Sequence, residues 1–297
     1  MKTLRDALLE GTQRLEAADL AYGHGTLNPL DEAAWLVLHA AGLPPQELQP
    51  HLDDPLTTAQ AKAARDLIAR RIRTRKPAAY LLNEAWLGPY RFYVDERVIV
   101  PRSFIGELLV GVRPLFSPKR GLTPFSSKKG TDHILDLCTG SGCLAIVAAL
   151  TFPDASVDGA DISEEALEVA HRNVADYKLK HRVKLVKSDL FSALGKRKYD
   201  LIISNPPYVN AASMRALPKE YRTEPKLALA SGSDGLEHTR RIIAGAKQHL
   251  TRGGRLVVEI GHNRKALERA YPRLPFAWPR VAAGIGYVFV LHREALP

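Results

Sequence analysis

The chain has 297 residues, 45% hydrophobic and 25% charged, which is typical of a globular protein with a sizeable core. Its 42 Lys and Arg against 32 Asp and Glu give a net charge of +10, which indicates either an anionic partner such as RNA or a solvated basic surface. No apolar run reaches the roughly 18 residues of a membrane span, and the mixed-charge N-terminus lacks the apolar segment of a signal peptide. We therefore expect a cytoplasmic protein without membrane contact.

Residues 1–84 have the apolar spacing of helices, and we predict a small helical domain there. Asn28 and Pro29 are typical of a helix start, Gly42 is typical of a helix end, and a third helix is predicted over residues 57–74. That third helix ends in a basic run made of Arg70, Arg71, Arg73, Arg75 and Lys76. The run either complements the helix dipole or contacts phosphates, and the sequence leaves both interpretations open.

Residues 85–102 are predicted to form a β-hairpin linker. Aromatic and β-branched residues stand on both sides of Asp95 and Glu96, which places the predicted turn at that pair. A further helix is predicted over 103–115. Residues 117–132 are rich in Ser, Pro, Gly and Lys, and are predicted to be a loop or insertion with a basic face.

The remaining chain alternates between strand and helix patterns. Strands are predicted at 133–137, 155–159, 183–186, 201–204 and 255–260, and helices at 143–150, 163–177, 235–250 and 263–271. The tail, 278–292, is predicted to form two strands around Gly284-Ile285-Gly286. This alternation predicts an α/β domain over 103–297, with a doubly wound, mostly parallel sheet that binds ligands at the carboxyl ends of its strands.

The sequence Asn205-Pro206-Pro207-Tyr208 directly follows one of these predicted strands. Two prolines fix φ and hold Asn205 extended, so the turn is stiff. The Asn205 side-chain oxygen and the Pro206 carbonyl can each accept one N–H of a planar NH2 group, and the Tyr208 ring can lie against its face. Taken alone, the motif favours an ordinary proline turn. The rest of the chain favours a site that grips an NH2 group.

A glycine-rich turn lies between the first predicted strand and its helix. It allows close approach of a ligand to the backbone and leaves a helix N-terminus free. The candidate cofactor-binding residues of this turn are Asp136, Cys138, Thr139, Gly140, Ser141 and Gly142. Because the Asp136 carboxylate would repel a pyrophosphate, a cationic or zwitterionic ligand such as S-adenosylmethionine is favoured over a dinucleotide. Cys138 and Cys143 lack the spacing of a metal site, and we expect no bound metal and no disulfide.

Two further strand ends carry candidate cofactor residues. Asp161 can accept hydrogen bonds from both hydroxyls of a ribose, although a carboxylate before Ser163 is also typical of a helix cap. Asp189 and Leu190 can border an adenine, and Asn205 lies at the next strand end. The order of these residues along the sheet favours a methyltransferase over a dehydrogenase.

These motifs resemble those of the protein glutamine N5-methyltransferases. The resemblance rests on residues 136–143, Asp161, 188–191, 204–209 and 224–229, and it covers nearly the whole chain. It implies a Rossmann-like class I methyltransferase domain preceded by a small helical domain and a β-hairpin linker. It also implies that residues 138–142 hold the methionine part of S-adenosylmethionine, that Asp161 holds its ribose, that Leu190 lies near its adenine and that residues 205–208 hold the target glutamine.

Within that family, this chain is similar to the branch that methylates a glutamine of large-subunit ribosomal protein L3. The similarity lies in residues 22–26, 28–29, 31–33, 79–81, 84–86, 92–97, 100–103 and 105–108. It implies methyl transfer to the N5 atom of that glutamine, with an assembling ribosome and its ribosomal RNA as further partners. Phe104, the long 117–132 segment and the sequence Trp278-Pro279-Arg280 depart from the branch, and they concern docking to the substrate.

Other functions stay open at this point. An amino-methyltransferase acting on adenine or cytosine would grip an exocyclic NH2 group in the same way. Methylation of release factors and a non-catalytic role in ribosome assembly are two more alternatives. The chain lacks an obvious DNA-reading module, and Glu224-Pro225 together with the branch segments favours a protein glutamine.

Overall fold

The computed structural model describes residues 2–112 and 131–297. The helices in these ranges are α1 (Leu4–Glu16), α2 (Pro29–Ala41), α3 (Leu48–His51), α4 (Thr58–Thr74), α5 (Ala78–Leu82), α6 (Phe104–Val112), α7 (Cys143–Thr151), α8 (Glu164–Asp176), α9 (Ala211–Ala216), α10 (Glu237–His249) and α11 (Arg264–Ala270). The strands are β1 (Ala85–Leu87), β2 (Tyr90–Phe92), β3 (His133–Leu137), β4 (Ser156–Asp161), β5 (Val183–Lys187), β6 (Tyr199–Ser204), β7 (Leu250–Glu259), β8 (Arg280–Val281), β9 (Gly284–Ile285) and β10 (Val288–His292).

The N-terminal helices begin and end where their capping residues predict. Asn28 caps α2, Gly42 ends it in the left-handed region with φ of 77°, and Thr57 caps α4 in a capping box with Gln60. The apolar faces of α1, α2 and α4 bury one shared core that includes Leu4, Leu8, Leu15, Trp35, Leu36 and Ile68. These helix predictions are confirmed.

The predicted hairpin exists, but its turn was placed wrongly. Strands β1 and β2 pair across Gly88, which has a φ of 58° that suits a tight turn. The Asp95 carboxylate instead accepts hydrogen bonds from the Arg97 backbone N–H at 3.1 Å and from the Tyr93 hydroxyl at 2.9 Å. This local turn reverses no strand.

Most of the basic run at the end of α4 is used inside the protein. Arg71 is fully buried, and its Nε donates to Glu32 at 2.6 Å. Arg75 pairs with Glu220 at 2.7 Å, and Lys76 pairs with Glu96. The run therefore joins the helical part of the chain to the segment that carries Glu220, and its exposed members, Arg70 and Arg73, face solvent.

The central sheet has the order β10-β7-β6-β3-β4-β5. The strands β3 to β7 are parallel, and β10 pairs antiparallel with β7. The strand order reverses between β3 and β6, where the Ser204 hydroxyl donates to the Leu137 carbonyl at 2.8 Å. A doubly wound sheet binds ligands outside the carboxyl ends of its strands at such a switch point, so the predicted α/β fold is confirmed and the site is positioned.

The tail differs from its prediction, because it forms three strands. Gly284-Ile285 is itself strand β9, paired with β8, and only β10 joins the central sheet. Gly284 begins β9 and Gly286 follows it, and their positive φ values of 115° and 108° allow the chain to change direction on both sides of this short strand.

The predicted basic loop at 117–132 lies almost entirely outside the described residues. The boundaries 1–84, 85–102 and 103–297 stay predictions, since the linker's Val94 and Val98 pack in the helical core while its Leu87 and Phe92 pack under the sheet. Within the described ranges, no helix has the length and apolarity to cross a membrane.

Candidate active site

Two adjoining cavities open at the carboxyl ends of the parallel strands. We call the first the donor cavity; it measures about 450 Å³ and is lined by Cys138, Asp161 and Leu190 among others. We call the second the acceptor cavity; it measures about 430 Å³, and its lining includes Pro206 and Tyr208. Ile99, Asn205 and Ala228 line both. A group in one cavity is therefore separated from a group in the other by the Asn205 side chain and its neighbours.

Of the predicted cofactor residues, six line the donor cavity, namely Cys138, Gly140, Asp161, Asp189, Leu190 and Asn205. Pro207 lines it as well, while Pro206 and Tyr208 line the acceptor cavity. The other four predicted residues, Asp136, Thr139, Ser141 and Gly142, are not among the lining residues.

Those four residues stabilise the glycine turn without lining the donor cavity. The buried Asp136 carboxylate accepts from the Thr139 hydroxyl at 2.5 Å and from the Ala145 backbone N–H at 3.0 Å, which ties the turn to the first turn of α7. Gly142 has a φ of 78°, and a Cβ there would lie 3.1 Å from the Ala170 side chain on α8. The Ser141 carbonyl accepts from Asn173.

Burial raises the pKa of the Asp136 carboxyl to about 7, against the opposing hydrogen bonds from Thr139 and Ala145. The sequence placed this carboxylate inside the ligand site. The structure places it beneath the turn, with its Oδ1 atom unpartnered among the described residues.

Asp161 ends β4 at the wall of the donor cavity. Its two oxygens accept backbone N–H groups from Gly140 at 2.8 Å and from Ser163 at 2.9 Å, and Ser163, not Asp161, caps α8. Burial raises the pKa of the Asp161 carboxyl, and these backbone hydrogen bonds oppose that shift. Each carboxylate oxygen keeps acceptor capacity for a ligand hydroxyl.

The charges around the donor cavity are mixed. Arg97 pairs with Asp95 and Glu168, and Arg241 pairs with Asp189 at 2.7 Å. Asp161 and Glu165 supply negative charge without an ion-pair partner among the described residues, and Lys226 supplies one unpaired positive charge. Such a wall suits a zwitterion better than a pyrophosphate.

The Asn205-Pro206-Pro207-Tyr208 turn is held by contacts on both sides. The Asn263 side chain donates to the Tyr208 carbonyl at 2.8 Å, and Gly261 leaves room for the Tyr208 ring, which would lie 2.8 Å from a Cβ at that position. The Asn205 Oδ1 atom is buried and has no hydrogen-bond partner among the described residues. A buried acceptor of this kind is suited to an incoming N–H donor.

Glu224 joins three parts of the chain beside the acceptor cavity. Its carboxylate receives two hydrogen bonds from Arg102, at 2.6 and 2.7 Å, and one from the Val100 backbone at 3.0 Å. The buried His24 Nε2 atom lies 3.6 Å from it. Burial alone would raise the pKa of Glu224, but the His24 and Arg102 side chains outweigh it and lower the pKa to about 2. No definite role was predicted for Arg102 or Glu224 from the sequence.

Glu259, at the end of β7, is a buried carboxyl that sequence reasoning missed. It accepts from the Ser103 hydroxyl at 2.7 Å and from the Phe104 backbone at 2.9 Å. Burial raises its pKa to about 7, and both burial and Glu259 raise the pKa of Tyr208. Its signal, an acidic residue ending a strand, is the one that marked Asp161.

The acceptor cavity has further lining residues that the sequence did not single out, among them Tyr221, His262 and Tyr287. They come from separate loops, so no local pattern joins them. In the parts of the chain that the structure describes, no cluster of three or more His, Cys, Asp or Glu could hold a metal ion.

The fold and the paired cavities are those of a Rossmann-like methyltransferase. Residues 122–221 match the family model described as Methyltransferase small domain, and residues 6–82 match the PrmC N-terminal domain. Among solved structures, a ribosomal protein L11 methylase from Lactobacillus delbrueckii subsp. bulgaricus is 20% identical with a TM-score of 0.42, over 67% of this chain and 83% of that one.

The relatives found by sequence comparison identify the family more specifically than the solved structures do. The ribosomal protein uL3 glutamine methyltransferase of Neisseria meningitidis serogroup A is 50% identical over 100% of this chain and 95% of its own length. The protein of the same description from Bordetella pertussis is also 50% identical, over 100% of this chain and 97% of its own length. This chain belongs to the ribosomal protein uL3 glutamine methyltransferase family.

Proposed function

We propose that this protein transfers a methyl group from S-adenosylmethionine to the side-chain amide nitrogen, N5, of a glutamine in ribosomal protein uL3. The observation that carries the proposal is the position of Asn205. It lies on the wall that the two cavities share, with a buried and unpartnered Oδ1 atom. Because the substrate is a ribosomal protein, we propose that the reaction takes place in the cytoplasm, with an assembling ribosome and its RNA as further partners.

The residues of the donor cavity fit S-adenosylmethionine. Asp161 has acceptor capacity for ribose hydroxyls, Cys138 and Gly140 offer the glycine turn to the methionine part, and Leu190 offers an apolar surface to the adenine. The mixed charges suit a molecule that carries a sulfonium, an amino group and a carboxylate. When bound, S-adenosylmethionine supplies an electrophilic methyl group on a positively charged sulfur.

The acceptor amide needs positioning more than it needs a base. An amide nitrogen is a weak nucleophile because its lone pair is delocalised, and removing its proton first would be costly near neutral pH. The Asn205 Oδ1 atom and the Pro206 carbonyl accept the two N–H groups, which fixes the nitrogen and stabilises the positive charge that it gains.

The neighbouring side chains support this assignment of roles. Tyr208 lies against the acceptor cavity and is held by Asn263 and Gly261. The nearest buried carboxyls, Glu224 and Glu259, are each engaged by hydrogen bonds from the protein, and neither lines the cavity. The spare proton therefore leaves to solvent after the transfer.

The proposal is tested by following labelled methyl groups. The purified protein is incubated with S-adenosylmethionine labelled in its methyl group and a lysate from cells that lack the enzyme. Label in uL3 alone supports the proposal. Label in release factors or in nucleic acid would assign one of the alternative substrates, and label nowhere would contradict methyl transfer altogether.

A further inference from the structure

The segment 209–229 forms one side of the acceptor cavity, through Val209, Leu217, Tyr221, Ala228 and Leu229. Its charged residues are sorted by sign. All four cations are exposed to solvent, and we call them the basic rim: Arg215, Lys219, Arg222 and Lys226. Both carboxylates of the segment point inward, with Glu220 0% and Glu224 3% exposed.

The inward carboxylates are neutralised by other parts of the chain. Glu220 pairs with Arg75 at 2.7 Å and lies 3.9 Å from Arg71, while Glu224 pairs with Arg102. These pairs leave nothing to balance the basic rim. None of its four cations forms an ion pair with a described residue, and Arg222 donates only to the Leu217 carbonyl, at 3.3 Å.

The acceptor cavity itself adds no negative charge. The charged or titratable groups that line it are Arg102, His262 and three tyrosines, and no Asp or Glu is among its lining residues. Within the described part of the chain, the lining of the acceptor cavity therefore supplies no carboxylate that could pair with the basic rim. The four rim cations fall within the short stretch 215–226, and a partner of opposite charge would stabilise them.

The charge of the substrate determines which partner fits. Proteins that bind ribosomal RNA are themselves rich in Lys and Arg, so a basic rim disfavours docking of such a protein alone. Phosphates bound to the same protein reverse the sign of the interaction. An RNA strand is thus complementary to the rim, and the basic substrate protein is not.

We propose that the basic rim binds phosphates of the RNA to which the substrate protein is attached, so that the glutamine is presented from a ribonucleoprotein. This inference rests on the proposed function and names the form of its substrate. Arg70 and Arg73 are two further exposed cations near the end of α4, the helix end at which Arg75 pairs with Glu220 of the rim segment.

Direct binding is measured with a fluorescein-labelled oligouridylate of about 12 nucleotides by fluorescence anisotropy. The test variant is Arg215→Gln/Lys219→Gln/Arg222→Gln, which spares Lys226 because that residue lines the donor cavity. The matched control is Lys180→Gln/Lys196→Gln/Arg252→Gln. It removes three exposed cations near the amino ends of β5, β6 and β7, at the opposite edge of the sheet.

We expect the affinity of the unmodified protein to fall as salt is raised. Each lost phosphate contact on single-stranded RNA lowers the slope of log K against log salt by about 0.7, so the rim variant should lose about 2 of the slope. Between 50 and 200 mM salt it would be about 20-fold less salt-sensitive. The control variant keeps the original slope. Equal slopes in the rim variant and the unmodified protein, or equal losses in both variants, would overturn the proposal.

A second measurement separates RNA from an acidic protein. Polyglutamate of matched charge replaces the oligouridylate, and it should bind at least about tenfold more weakly, since it lacks bases that can stack on aromatic side chains. Polyglutamate that binds as tightly as the RNA would assign the rim to an acidic protein instead.

Activity is then compared on free uL3 and on uL3 bound to a transcript of its ribosomal RNA site. The rim variant should lose about tenfold in kcat/KM on the RNA-bound substrate and should keep or gain activity on free uL3. An equal loss on both substrates, or a loss on neither, contradicts the inference. If the unmodified protein methylates neither form, the proposed function fails, and the anisotropy measurement still reports on the rim.

Discussion

Asn205 lies in a stiff turn with Pro206, Pro207 and Tyr208, on the wall that the two cavities share. Its buried Oδ1 atom has no hydrogen-bond partner among the described residues. The Asn205 amide is the acceptor that the sequence predicted for an NH2 group, and its burial makes the absence of a partner costly unless a ligand supplies one. An orphaned buried acceptor is a stronger reason to assign a binding role than the motif alone, because an ordinary proline turn has no need of it.

Asn205→Ala should lower kcat for methyl transfer about 100- to 1000-fold, in the range expected when one preorganised partner of the reacting group is removed. The fold should be unchanged, since Oδ1 makes no hydrogen bond to the described residues. The matched control is Asn210→Ala, which removes the cap of α9 outside the catalytic turn and should keep kcat. Turnover of the Asn205 variant near that of the unmodified protein would remove Asn205 from the mechanism.

Asp136 makes stability depend on pH. Its pKa is raised to about 7 in the folded state, so the folded protein holds the proton more tightly than the unfolded chain does. Its contribution is complete below the ordinary pKa of about 4 and is lost as the pH rises through 7. Glu259, with a pKa of about 7, acts in the same direction.

Asp136→Asn should therefore flatten the pH dependence of the free energy of unfolding between about pH 4 and pH 7. The slope removed is up to about 1.4 kcal/mol per pH unit. Urea unfolding at several pH values measures it, with Asp154→Asn, an exposed loop carboxylate, as the control that keeps the slope. A variant at Asp136 with the same slope as the unmodified protein would show that this carboxyl is ionised throughout the range.

At the scale of elements, Glu224 contacts both the linker, residues 85–102, and the N-terminal loop at His24, and so holds them beside the acceptor cavity. The linker contributes Val100 and Arg102 to this cluster. One carboxylate therefore fixes the relative positions of segments that are far apart in sequence, which explains why a short motif at 224–229 accompanies the catalytic turn.

Glu224→Gln should destabilise the fold by about 3 kcal/mol, because it breaks the ion pair of the buried Glu224 and leaves the partly buried Arg102 guanidinium without its counter-charge. Denaturant unfolding at neutral pH measures the loss. Glu268→Gln breaks an exposed pair with Arg264 and should cost less than about 1 kcal/mol. In the unmodified protein, the lowered pKa of Glu224 means that its contribution is present above the ordinary pKa and is lost as the pH falls toward 2. A loss no greater than that of the Glu268 variant would show that Glu224 is dispensable.

The local elements could be predicted from sequence because their signals are local. Caps at Asn28, Thr57 and Gly42 set helix ends, and the glycine turn and the proline turn fell at the carboxyl ends of β3 and β6 as alternation requires. The hairpin turn was misplaced because the Asp95 carboxylate accepts a hydrogen bond from the Arg97 backbone N–H, which forms a local turn without a strand reversal.

Contacts between residues that are far apart in the sequence could not be predicted. Asp136 was expected to face the ligand, but which side of the turn its carboxylate takes is decided by Thr139 and Ala145. The partners of Glu259 come from the start of α6, and those of Glu224 come from the N-terminal loop and the linker. No periodicity records such pairs.

At the scale of the whole molecule, buried charges join the helical part of the chain to the methyltransferase part. Arg71, Glu32, Glu220 and Arg75 form one cluster across this boundary. Because each buried charge needs its partners, separating the two parts would expose several groups at once. The two parts should therefore unfold together.

Calorimetry should show a single unfolding transition for the unmodified protein. Glu220→Gln, which weakens the cluster, should split or broaden that transition, while Glu237→Gln at the exposed start of α10 should leave it unchanged. Two transitions in the unmodified protein would show that the buried cluster does not couple the two parts.

The central claim concerns one atom, the amide nitrogen of a glutamine in uL3. The most direct test is tandem mass spectrometry of uL3 from cells that lack the gene for this protein and from the same cells given the gene back. We expect one methyl group on a glutamine side chain only when the unmodified gene is present, and none with Asn205→Ala. A methylated glutamine in the cells that lack the gene, or an unmethylated uL3 after the gene is restored, would contradict the account.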